Sequence, residues 1–354
     1  MAYTTIDDPS AHHQTVLYTG NGSANLAITN DGNSDLQPDL VWIKNRDAAD
    51  SHCLFDSTRG ATEVIHSDAT TAETTDADTL DSFASDGFQV DADVKVNTNT
   101  EAYVAWQWKA NGGSRTTNAE VGNNPAGGYQ ANTTAGFSIV DYTGTGAAGT
   151  MAHGLGAAPD LIIIKNRDVA DAWAVYHSAN TAAPETDYLV LNENDATADD
   201  DAYWNDTAPT SSVFTVNTAH NVNADAETYV AYCFTSIQGY SKFGSYIGNA
   251  NDDGPFVYTG FKPAWLMFKT TDPRGERWFI SDNKRDTFNS VEKHMRAEYE
   301  GSEYSTTTSI DYLSNGFKIR EDDNHMNGDG ETIIYMAFAE SPFVTSGGVP
   351  CTAR

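Results

Sequence analysis

The chain contains three copies of one motif string, and this internal repetition constrains its fold more than any other feature. Each copy opens with a proline, one further residue, four apolar residues and a lysine. The three matches are Pro38–Lys44, Pro159–Lys165 and Pro263–Lys269. Each copy closes on an aromatic segment, which begins at Tyr103, Tyr229 and Tyr335. The separations from the lysine to this tyrosine are 59, 64 and 66 residues. Such regular spacing predicts three homologous modules of roughly 100 residues each.

The segments inside each copy are typical of short β-strands. Runs of β-branched and aromatic residues alternate with turn-forming clusters such as Asn30–Asn33 and Asn327–Gly330. Many short strands with turn signals between them favour antiparallel sandwiches. The segment Pro159–Lys165 is apolar on both faces, so it is expected at the centre of its sheet. The sequence therefore predicts an all-β fold of three tandem antiparallel β-sandwich modules, each resembling a jelly roll.

Composition places the boundaries between these modules. The expected ranges are an N-terminal arm at 1–15, module 1 at 16–110, a linker at 111–135, module 2 at 136–237, module 3 at 238–343 and a C-terminal tail at 344–354. The linker is expected to be flexible or extended because it is rich in Gly, Asn, Thr and Ala. The N-terminus has no signal-peptide pattern, and no apolar run is long enough to insert into a membrane.

The charge balance excludes two classes of partner. Fifty Asp and Glu residues face twenty Lys and Arg residues, which gives a formal net charge of −30. A surface this negative repels phosphate backbones and anionic lipid headgroups, so neither nucleic acid nor a membrane surface is an expected partner. The acids fall mainly between strands, where they are expected to form a solvated coat.

No motif in the chain predicts catalysis, a cofactor or a metal site. The sequence lacks the nucleophile, zinc-protease, phosphate-loop and dinucleotide signatures. His12 and His13 are expected to be an exposed pair in the arm. The stretch Asp323–Gly328 fails as a calcium loop, because Ile334 stands where the loop needs its last carboxylate. An enzyme is not expected, although a glycan-active hydrolase stays an alternative, since paired carboxylates can cleave glycosidic bonds.

A Lys-Asn-Arg-Asp string follows the strand motif in the first two modules. Lys44 and Arg46 are expected to pair with acids at the same rim, such as Glu101, and the second module repeats this with Glu227. Surface pairs of this kind contribute about 0–1 kcal/mol each. An anion-binding spot is the alternative for these basic residues.

Aromatic residues outside the repeated strands are the candidates for ligand binding. The candidates are Tyr203, Trp204, Tyr299 and Tyr304. Exposed aromatic rings flanked by Asp and Asn can stack on sugar rings while the acids accept hydroxyl protons, so these residues are candidate glycan contacts. The alternative for Trp204 is that it fills its own sandwich or an interface between modules.

The motif string resembles a repeat module of marine bacteriophage virion structural proteins, such as the tail-fibre-like proteins of cyanophages and pelagiphages. The residues that carry the resemblance are Tyr142–Gly144, His153–Gly156, Pro159–Arg167, Trp173–His177, Tyr203–Thr210, Tyr229–Phe234, Gly239–Tyr246 and Pro255–Phe261. They cover modules 2 and 3 and, more loosely, module 1.

This resemblance implies a virion-surface protein that is made in the host cytoplasm. The expected role is a tail fibre, spike or knob with host-surface glycan recognition. The expected partners are other virion proteins, a homo-oligomer with a trimer favoured, and a host carbohydrate. A capsid decoration or head-fibre protein without a specific ligand is the structural alternative.

Overall fold

Each repeat forms a large antiparallel sheet around the strand that carries the Pro-to-Lys motif. The computed structural model describes residues 2–272 and 276–352, so Met1 of the predicted arm and residues 353–354 of the predicted tail lie outside it. In every repeat the motif strand pairs with the closing aromatic strand, which gives the sheet its centre. The apolar, β-branched motif strands are buried on both faces, as expected for central strands.

The first repeat consists of a six-stranded and a three-stranded sheet. Its elements are β1 His13–Thr19, β2 Leu26–Thr29, β3 Leu40–Asn45, β4 Cys53–Asp56, β5 Gly60–Ile65, β6 Thr74–Thr75, β7 Leu80–Ala84, β8 Gly87–Val90, α1 Val94–Asn97 and β9 Ala102–Trp108. The large sheet has the order β1-β9-β3-β4-β5-β6, and the small sheet has the order β2-β8-β7.

The second repeat consists of an eight-stranded sheet and a two-stranded sheet. Its elements are β10 Thr116–Asn118, β11 Ala126–Asn132, β12 Phe137–Thr143, β13 Gly149–Ala152, β14 Leu161–Asn166, β15 Ala174–His177, β16 Asp187–Val190, β17 Ala198–Asp199, α2 Asp201–Trp204, β18 Val213–Val216, α3 His220–Asn223 and β19 Thr228–Phe234. The large sheet has the order β10-β11-β12-β19-β14-β15-β16-β17, and β13 pairs with β18.

The third repeat consists of one continuous eight-stranded sheet. Its elements are β20 Ser241–Ile247, β21 Phe256–Tyr258, β22 Phe261–Thr270, β23 Phe279–Asp282, β24 Val291–Arg296, β25 Tyr304–Leu313, β26 Gly316–Ile319, α4 Asn324–Asn327 and β27 Thr332–Pro342. The order is β20-β27-β22-β23-β24-β25-β26-β21.

Short 3₁₀ turns occur at Pro9–Ala11 and Pro184–Thr186. The all-β class predicted from the sequence is confirmed. None of the helices described in the chain is long and apolar enough to cross a bilayer.

The strand register corrects the alignment of the third repeat by two residues. The pairs opposite the repeated lysine are Lys44 with Val104, Lys165 with Val230 and Lys269 with Ile334. Ile333, and not Tyr335, therefore matches Tyr103 and Tyr229. The sequence comparison favoured Tyr335 because it is aromatic, and a shift of two residues preserves the alternation of a strand.

The three repeats surround one shared core. Successive side chains of a strand point to opposite faces, so one face of each large sheet covers a local core while the other face meets the other two sheets. Trp108, Phe234 and Phe338 stand at matching positions of the three closing strands. Their ring centres lie 6.3 Å (Trp108 to Phe234), 5.6 Å (Trp108 to Phe338) and 5.9 Å (Phe234 to Phe338) apart. The chain therefore has a pseudo-threefold axis that passes near these rings.

Matching backbone hydrogen bonds link the repeats in a closed ring. The Glu303 N–H donates to Arg46 O at 2.9 Å, and the Glu73 N–H donates to Arg167 O at 2.9 Å. At the third junction the Thr197 N–H donates to Thr271 O at 3.1 Å. Each repeat is thus joined to the other two.

Two expectations about connecting segments are wrong. The range 111–135 is not a free linker, because β10 and β11 within it extend the large sheet of the second repeat. The range 1–15 is not a free arm either. Ile6 is buried in the shared core, the Thr4 hydroxyl donates to Gln238 O at 2.8 Å, and His13 belongs to β1 and is buried.

Candidate functional site

Two of the four aromatic candidates are core residues of the second repeat. Trp204 is 2% exposed and Tyr203 is 8% exposed. The Trp204 indole N–H donates to Asp187 O at 3.0 Å, and its ring meets Tyr176 edge to face. The Tyr203 ring stacks on Tyr188 at 3.7 Å between ring centres. The prediction that Tyr203 and Trp204 are exposed glycan contacts is wrong, because α2 turns both side chains inward.

The other two candidates, Tyr299 and Tyr304, lie together at the turn between β24 and β25. Arg296 ends β24, Tyr304 begins β25, and the Tyr299 N–H closes the turn by donating to Arg296 O at 3.1 Å. Tyr299 is 47% exposed, whereas Tyr304 is half-buried. With Ala49 of the first repeat they border a cavity of about 260 Å³, which we call the Arg296 pocket. It is lined by Ala49, Arg296, Tyr299, Gly301, Ser302 and Tyr304.

The Arg296 guanidinium lies among aromatic rings. Its central carbon is 4.4 Å from the centre of the Tyr304 ring, 5.7 Å from that of Tyr299 and 5.8 Å from that of Phe279. Cations are attracted to ring faces at such distances, so the rings hold the side chain in place. Burial raises the pKa of Tyr304, and Arg296 partly opposes that rise. Tyr304 is therefore neutral at physiological pH.

Arg296 differs from the other arginines in its lack of a carboxylate partner. Within residues 2–272 and 276–352, Arg296 forms no salt bridge, and its Nε has no hydrogen-bond partner. Every other arginine described there forms at least one salt bridge. These are Arg46, Arg59, Arg115, Arg167, Arg277, Arg285 and Arg320. In a chain with a net charge of −30, a cation without a carboxylate beside a cavity is the most distinctive feature of this surface.

Ion pairs at the junction of the first and third repeats fix the turn that borders the pocket. The Glu303 carboxylate, next to Tyr304, accepts hydrogen bonds from Arg46 Nε and Nη2 at 2.9 Å each. Arg285 Nη1 also lies 3.4 Å from Glu303. Arg277 lies 5.5 Å from the Tyr299 ring centre and pairs with Glu298. These contacts fix the two ends of the turn that carries Tyr299.

The repeated Lys-Asn-Arg-Asp string is structural, but not in the way that the sequence indicated. Lys44 and Lys165 are fully buried, and each ammonium donates to the carbonyl of the following asparagine at 2.6 Å. Burial lowers the pKa of each to about 8. Glu101 and Glu227 accept instead from Asn45 and Asn166, at 2.5 Å each. The expectation of rim pairs between these acids and the basic residues is wrong.

The two arginines of that string join neighbouring repeats. Arg46 pairs with Glu303 of the third repeat at 2.9 Å, and Arg167 pairs with Glu73 of the first at 2.7 Å. A sequence comparison could have shown the repeated arginine but not its partner, because both partners lie outside the repeated motifs.

One group of side chains has the donor types of a metal site. Asp171, His220 and Glu227 place ligand atoms within 4.8 Å of one another. The amide of Asn166 lies among them, with its Nδ2 at 2.5 Å from Glu227 and 3.4 Å from Asp171. This amide donates to one oxygen of each carboxylate, and the matching Asn45 does the same for Asp50 and Glu101 in the first repeat.

The fold and the Arg296 pocket define a three-repeat β-protein with a small surface cavity at a junction of repeats. The chain belongs to the family described as a domain of unknown function, DUF7483, whose family model matches residues 8–342. The match spans all three repeats, so the repeats belong to one family unit. No curated protein and no solved structure matches the chain significantly.

Proposed function

We propose that the protein is a surface-exposed structural protein of a bacteriophage virion, a tail fibre, spike or knob, that recognises a host-surface glycan at the Arg296 pocket. The binding proposal rests on the position of the Arg296 guanidinium, which lies between the Tyr299 and Tyr304 rings and has no carboxylate partner. The resemblance of the motif string to phage virion repeats supports the location on a particle.

The chemistry of the pocket selects a sugar that carries a carboxylate. A guanidinium donates two parallel N–H bonds to a carboxylate, and this bidentate geometry gives strength and orientation. The half-exposed Tyr299 ring offers an apolar face for the C–H groups of a sugar ring. The Ser302 hydroxyl can donate to or accept from a sugar hydroxyl.

The net charge limits what kind of acidic glycan fits. A surface with a formal charge of −30 repels a polyanion along its whole length. Exposed charges are screened over about 8 Å at physiological ionic strength, so one acidic residue can reach one arginine. The proposed ligand is therefore a single uronic or similar acid within an otherwise neutral glycan.

The lining of the pocket favours binding over cleavage. The six lining residues, as far as the structure describes them, include no carboxylate, imidazole or thiol. Glycosidic cleavage usually needs a pair of carboxyl groups placed about 5–9.5 Å apart across the scissile bond. This supports a recognition role at this site rather than the hydrolase alternative.

The test is a comparison of two sugars that differ at one group. D-Galacturonate has a carboxylate where D-galactose has a hydroxymethyl group. The wild-type chain is expected to bind galacturonate at least tenfold more tightly in calorimetric titrations, since a charge-assisted bidentate contact is worth about 1.5–3 kcal/mol. Arg296→Gln should remove this preference.

The matched control is Arg320→Gln. Arg320 lies in the same repeat and is about 41% exposed at its side chain, but it pairs with Asp311. Its replacement should leave the preference unchanged. A preference for galacturonate that survives Arg296→Gln, or no preference in the wild type, would refute the proposal for this pocket.

The location on a particle needs its own measurement. Antibodies against this chain are expected to label the tail or its tip in electron micrographs of the virion. Labelling of the head, together with no sugar binding, would favour the decoration alternative. The homo-oligomer is also a prediction, and light scattering at high protein concentration measures its mass.

A further inference from the structure

The outer edge of β1 has no neighbouring strand. β1 pairs with β9 on one side only, whereas β12, the matching strand of the second repeat, also pairs with β11. Just past β1 the Gly20 N–H donates to Glu101 O at 2.9 Å, so the even-numbered residues of this strand bond to the β9 side. The backbone N–H and C=O groups of Leu17 and Thr19 therefore point away from the sheet.

These outward groups of Leu17 and Thr19 are free and lie at exposed positions. Leu17 is 36% exposed, and Thr19 is exposed as well. Within residues 2–272 and 276–352, no hydrogen bond joins the backbone N–H or C=O of either residue to another group. In the second repeat the matching residues, Asp141 and Thr143, pair with β11. An unpaired edge of this kind is a template for a further strand.

A cavity between the first and third repeats adjoins the same edge. Its volume is about 210 Å³, and its walls come from both repeats. They include His13, Thr15, Asp31, Ala264, Asn283 and Lys284. A strand that pairs with Leu17 and Thr19 therefore reaches this cavity as it continues along β1.

The matching place at the junction of the second and first repeats is filled by β11. The Gln130 amide of β11 donates to Ser57 Oγ at 2.8 Å and to Thr58 Oγ1 at 2.6 Å. The strand register matches these two residues with Asn283 and Lys284 of the third repeat, which line the cavity. The cavity is thus the counterpart of the space that β11 fills.

The matching place at the junction of the third and second repeats is filled as well. Phe243 of β20 stands where β1 has Thr15. Its N–H donates to Ser236 Oγ at 3.2 Å, and the Ser236 N–H donates to Asp160 at 2.7 Å. The turn before β20 therefore covers this edge, and only the first of the three strands is left uncovered.

Each filled place also contains a tyrosine from the segment that covers it. A Cβ atom at Gly154 would lie 2.1 Å from the Tyr129 ring of β11. At the matching Gly260 it would lie 2.7 Å from the Tyr3 hydroxyl, which donates to Gly260 O at 2.8 Å. The strand register places Asp31 at this position in the first repeat. Because Asp31 lines the cavity, the first repeat has open space where the other two have a tyrosine.

The charges around the cavity select an uncharged segment. Lys284 pairs with Asp31 at 2.7 Å, and Glu340 pairs with Lys262 at 2.9 Å, so these charges are already compensated. The segments that fill the other two places, β11 and Ala2–Ile6, contain no charged side chain. A charged side chain in the cavity would lose its hydration without gaining a free partner.

We propose that the outer edge of β1 and the adjoining cavity bind an extended, uncharged segment of another polypeptide chain that carries a tyrosine. The segment pairs antiparallel with β1 through the backbone groups of Leu17 and Thr19, as β11 pairs with β12, and its tyrosine enters the cavity beside Asp31. Backbone hydrogen bonds give such an added strand its affinity, and the side-chain pocket gives it specificity. The proposal does not depend on the function proposed for the Arg296 pocket, since the two cavities share no lining residue.

The test uses the full chain and a synthetic peptide with the sequence of β11, acetylated at its N-terminus and amidated at its C-terminus. The peptide is titrated up to millimolar concentration while ¹H–¹⁵N spectra follow the backbone amides of the protein. The amides of Leu17 and Thr19 are expected to shift saturably, because each gains a hydrogen bond. A peptide with Tyr129→Ala should bind at least tenfold more weakly, since it leaves the cavity unfilled.

A proline at the edge separates backbone pairing from other modes of binding. Leu17→Pro removes one outward N–H but no bond to β9, and proline is tolerated at such edge positions. This variant should abolish peptide binding. The matched control is Ser245→Pro, at the same position of β20, which is also exposed and should leave binding unchanged.

Two further variants complete the test. Ala264→Phe fills the cavity from the third repeat without touching β1, and it should weaken binding at least tenfold even if Leu17→Pro does not fold. Arg296→Gln should leave binding unchanged, which distinguishes failure here from failure of the Arg296 pocket. The proposal is wrong if the peptide shifts no amide of β1 or binds Leu17→Pro as tightly as the wild type. It is also wrong if Leu17→Pro halves the mass measured by light scattering, since the edge then pairs with a second copy of this chain.

Discussion

Arg59 offers a strong test of whether the three repeats fold as one unit. Its side chain is fully buried, pairs with the buried Asp56 at 2.5 Å and with Glu73 at 2.8 Å, and donates to Leu54 O at 3.0 Å. Tyr232 of the second repeat donates to the same Asp56 carboxylate at 2.8 Å. Arg59→Leu leaves the Asp56 carboxylate buried without its cation, which typically costs 3–5 kcal/mol.

The size of the unfolding unit determines how this loss appears as a change in Tm. At about 2.1 cal/mol/K per residue, a cooperative unit of 354 residues has an unfolding entropy of about 0.74 kcal/mol/K, so Tm falls by about 4–7 °C. An independent module of roughly 100 residues would lose about 4–8 °C for every kcal/mol, and its own transition would fall by more than about 12 °C. We expect the smaller shift, in one transition, because all three repeats share a core.

The assay is differential scanning calorimetry with two comparison variants. Arg115→Leu breaks a pair with Asp141 whose side chains are 34% and 21% exposed, and it should cost no more than about 1 kcal/mol. Adding Asp56→Asn to Arg59→Leu should recover part of the loss, because the unpaired charge is removed. An Arg59→Leu effect no larger than that of Arg115→Leu, or a transition that splits in two, would refute the reasoning.

Two further predictions concern buried side chains. Trp204→Ala should cost about 3–5 kcal/mol of stability, measured by chemical denaturation, since the ring is in the core of the second repeat; an unchanged stability would return Trp204 to the list of surface contacts. Lys44, Lys165 and Lys269 each have a pKa lowered to about 8 by burial, against 10.5 when unfolded. Between these pKa values the unfolded chain binds more protons than the folded chain. The free energy of unfolding should therefore rise by about 1 kcal/mol per lysine from pH 8 to pH 9, and this gain should disappear as the pH falls through 8. Lys165→Met should reduce that slope by about a third, and a stability that is flat or falling over this interval would contradict the burial of the three ammonium groups.

Most of the secondary structure could be predicted from the sequence, because the strand motifs have strong local signals. Pro159–Lys165 has apolar residues on both faces, and both faces of β14 are buried. The same pattern also indicates the shared core, since a strand with apolar residues on both faces must be covered on both faces. The partner on the second side could not be predicted, because it comes from the other two repeats.

Burial of individual polar and aromatic side chains was harder to predict. Trp204 lies in a polar stretch, yet one turn of helix with the Asp200 cap turns it inward. Lys44 ends an apolar strand, and only the tertiary structure shows that it is covered. One repeated asparagine could have indicated a buried polar side chain from the sequence. It is Asn97 in the first repeat, Asn223 in the second and Asn327 in the third. Each is fully buried, and its side chain bonds three backbone groups in the same way.

The candidate site was predicted only in part. Tyr299 and Tyr304 were candidates from sequence because they stand in polar surroundings. Arg296 was not, because an arginine without a partner can be recognised only when the positions of all nearby carboxylates are known. His13 was expected to be exposed, and its burial follows from the pairing of β1 with β9.

A crystal structure of the full chain with D-galacturonate would test recognition at the Arg296 pocket most directly. The predicted result is a sugar carboxylate within hydrogen-bond distance of the Arg296 guanidinium, with the sugar ring against Tyr299. A sugar bound elsewhere, with the Arg296 pocket filled only by solvent at saturating galacturonate, would contradict the proposed function.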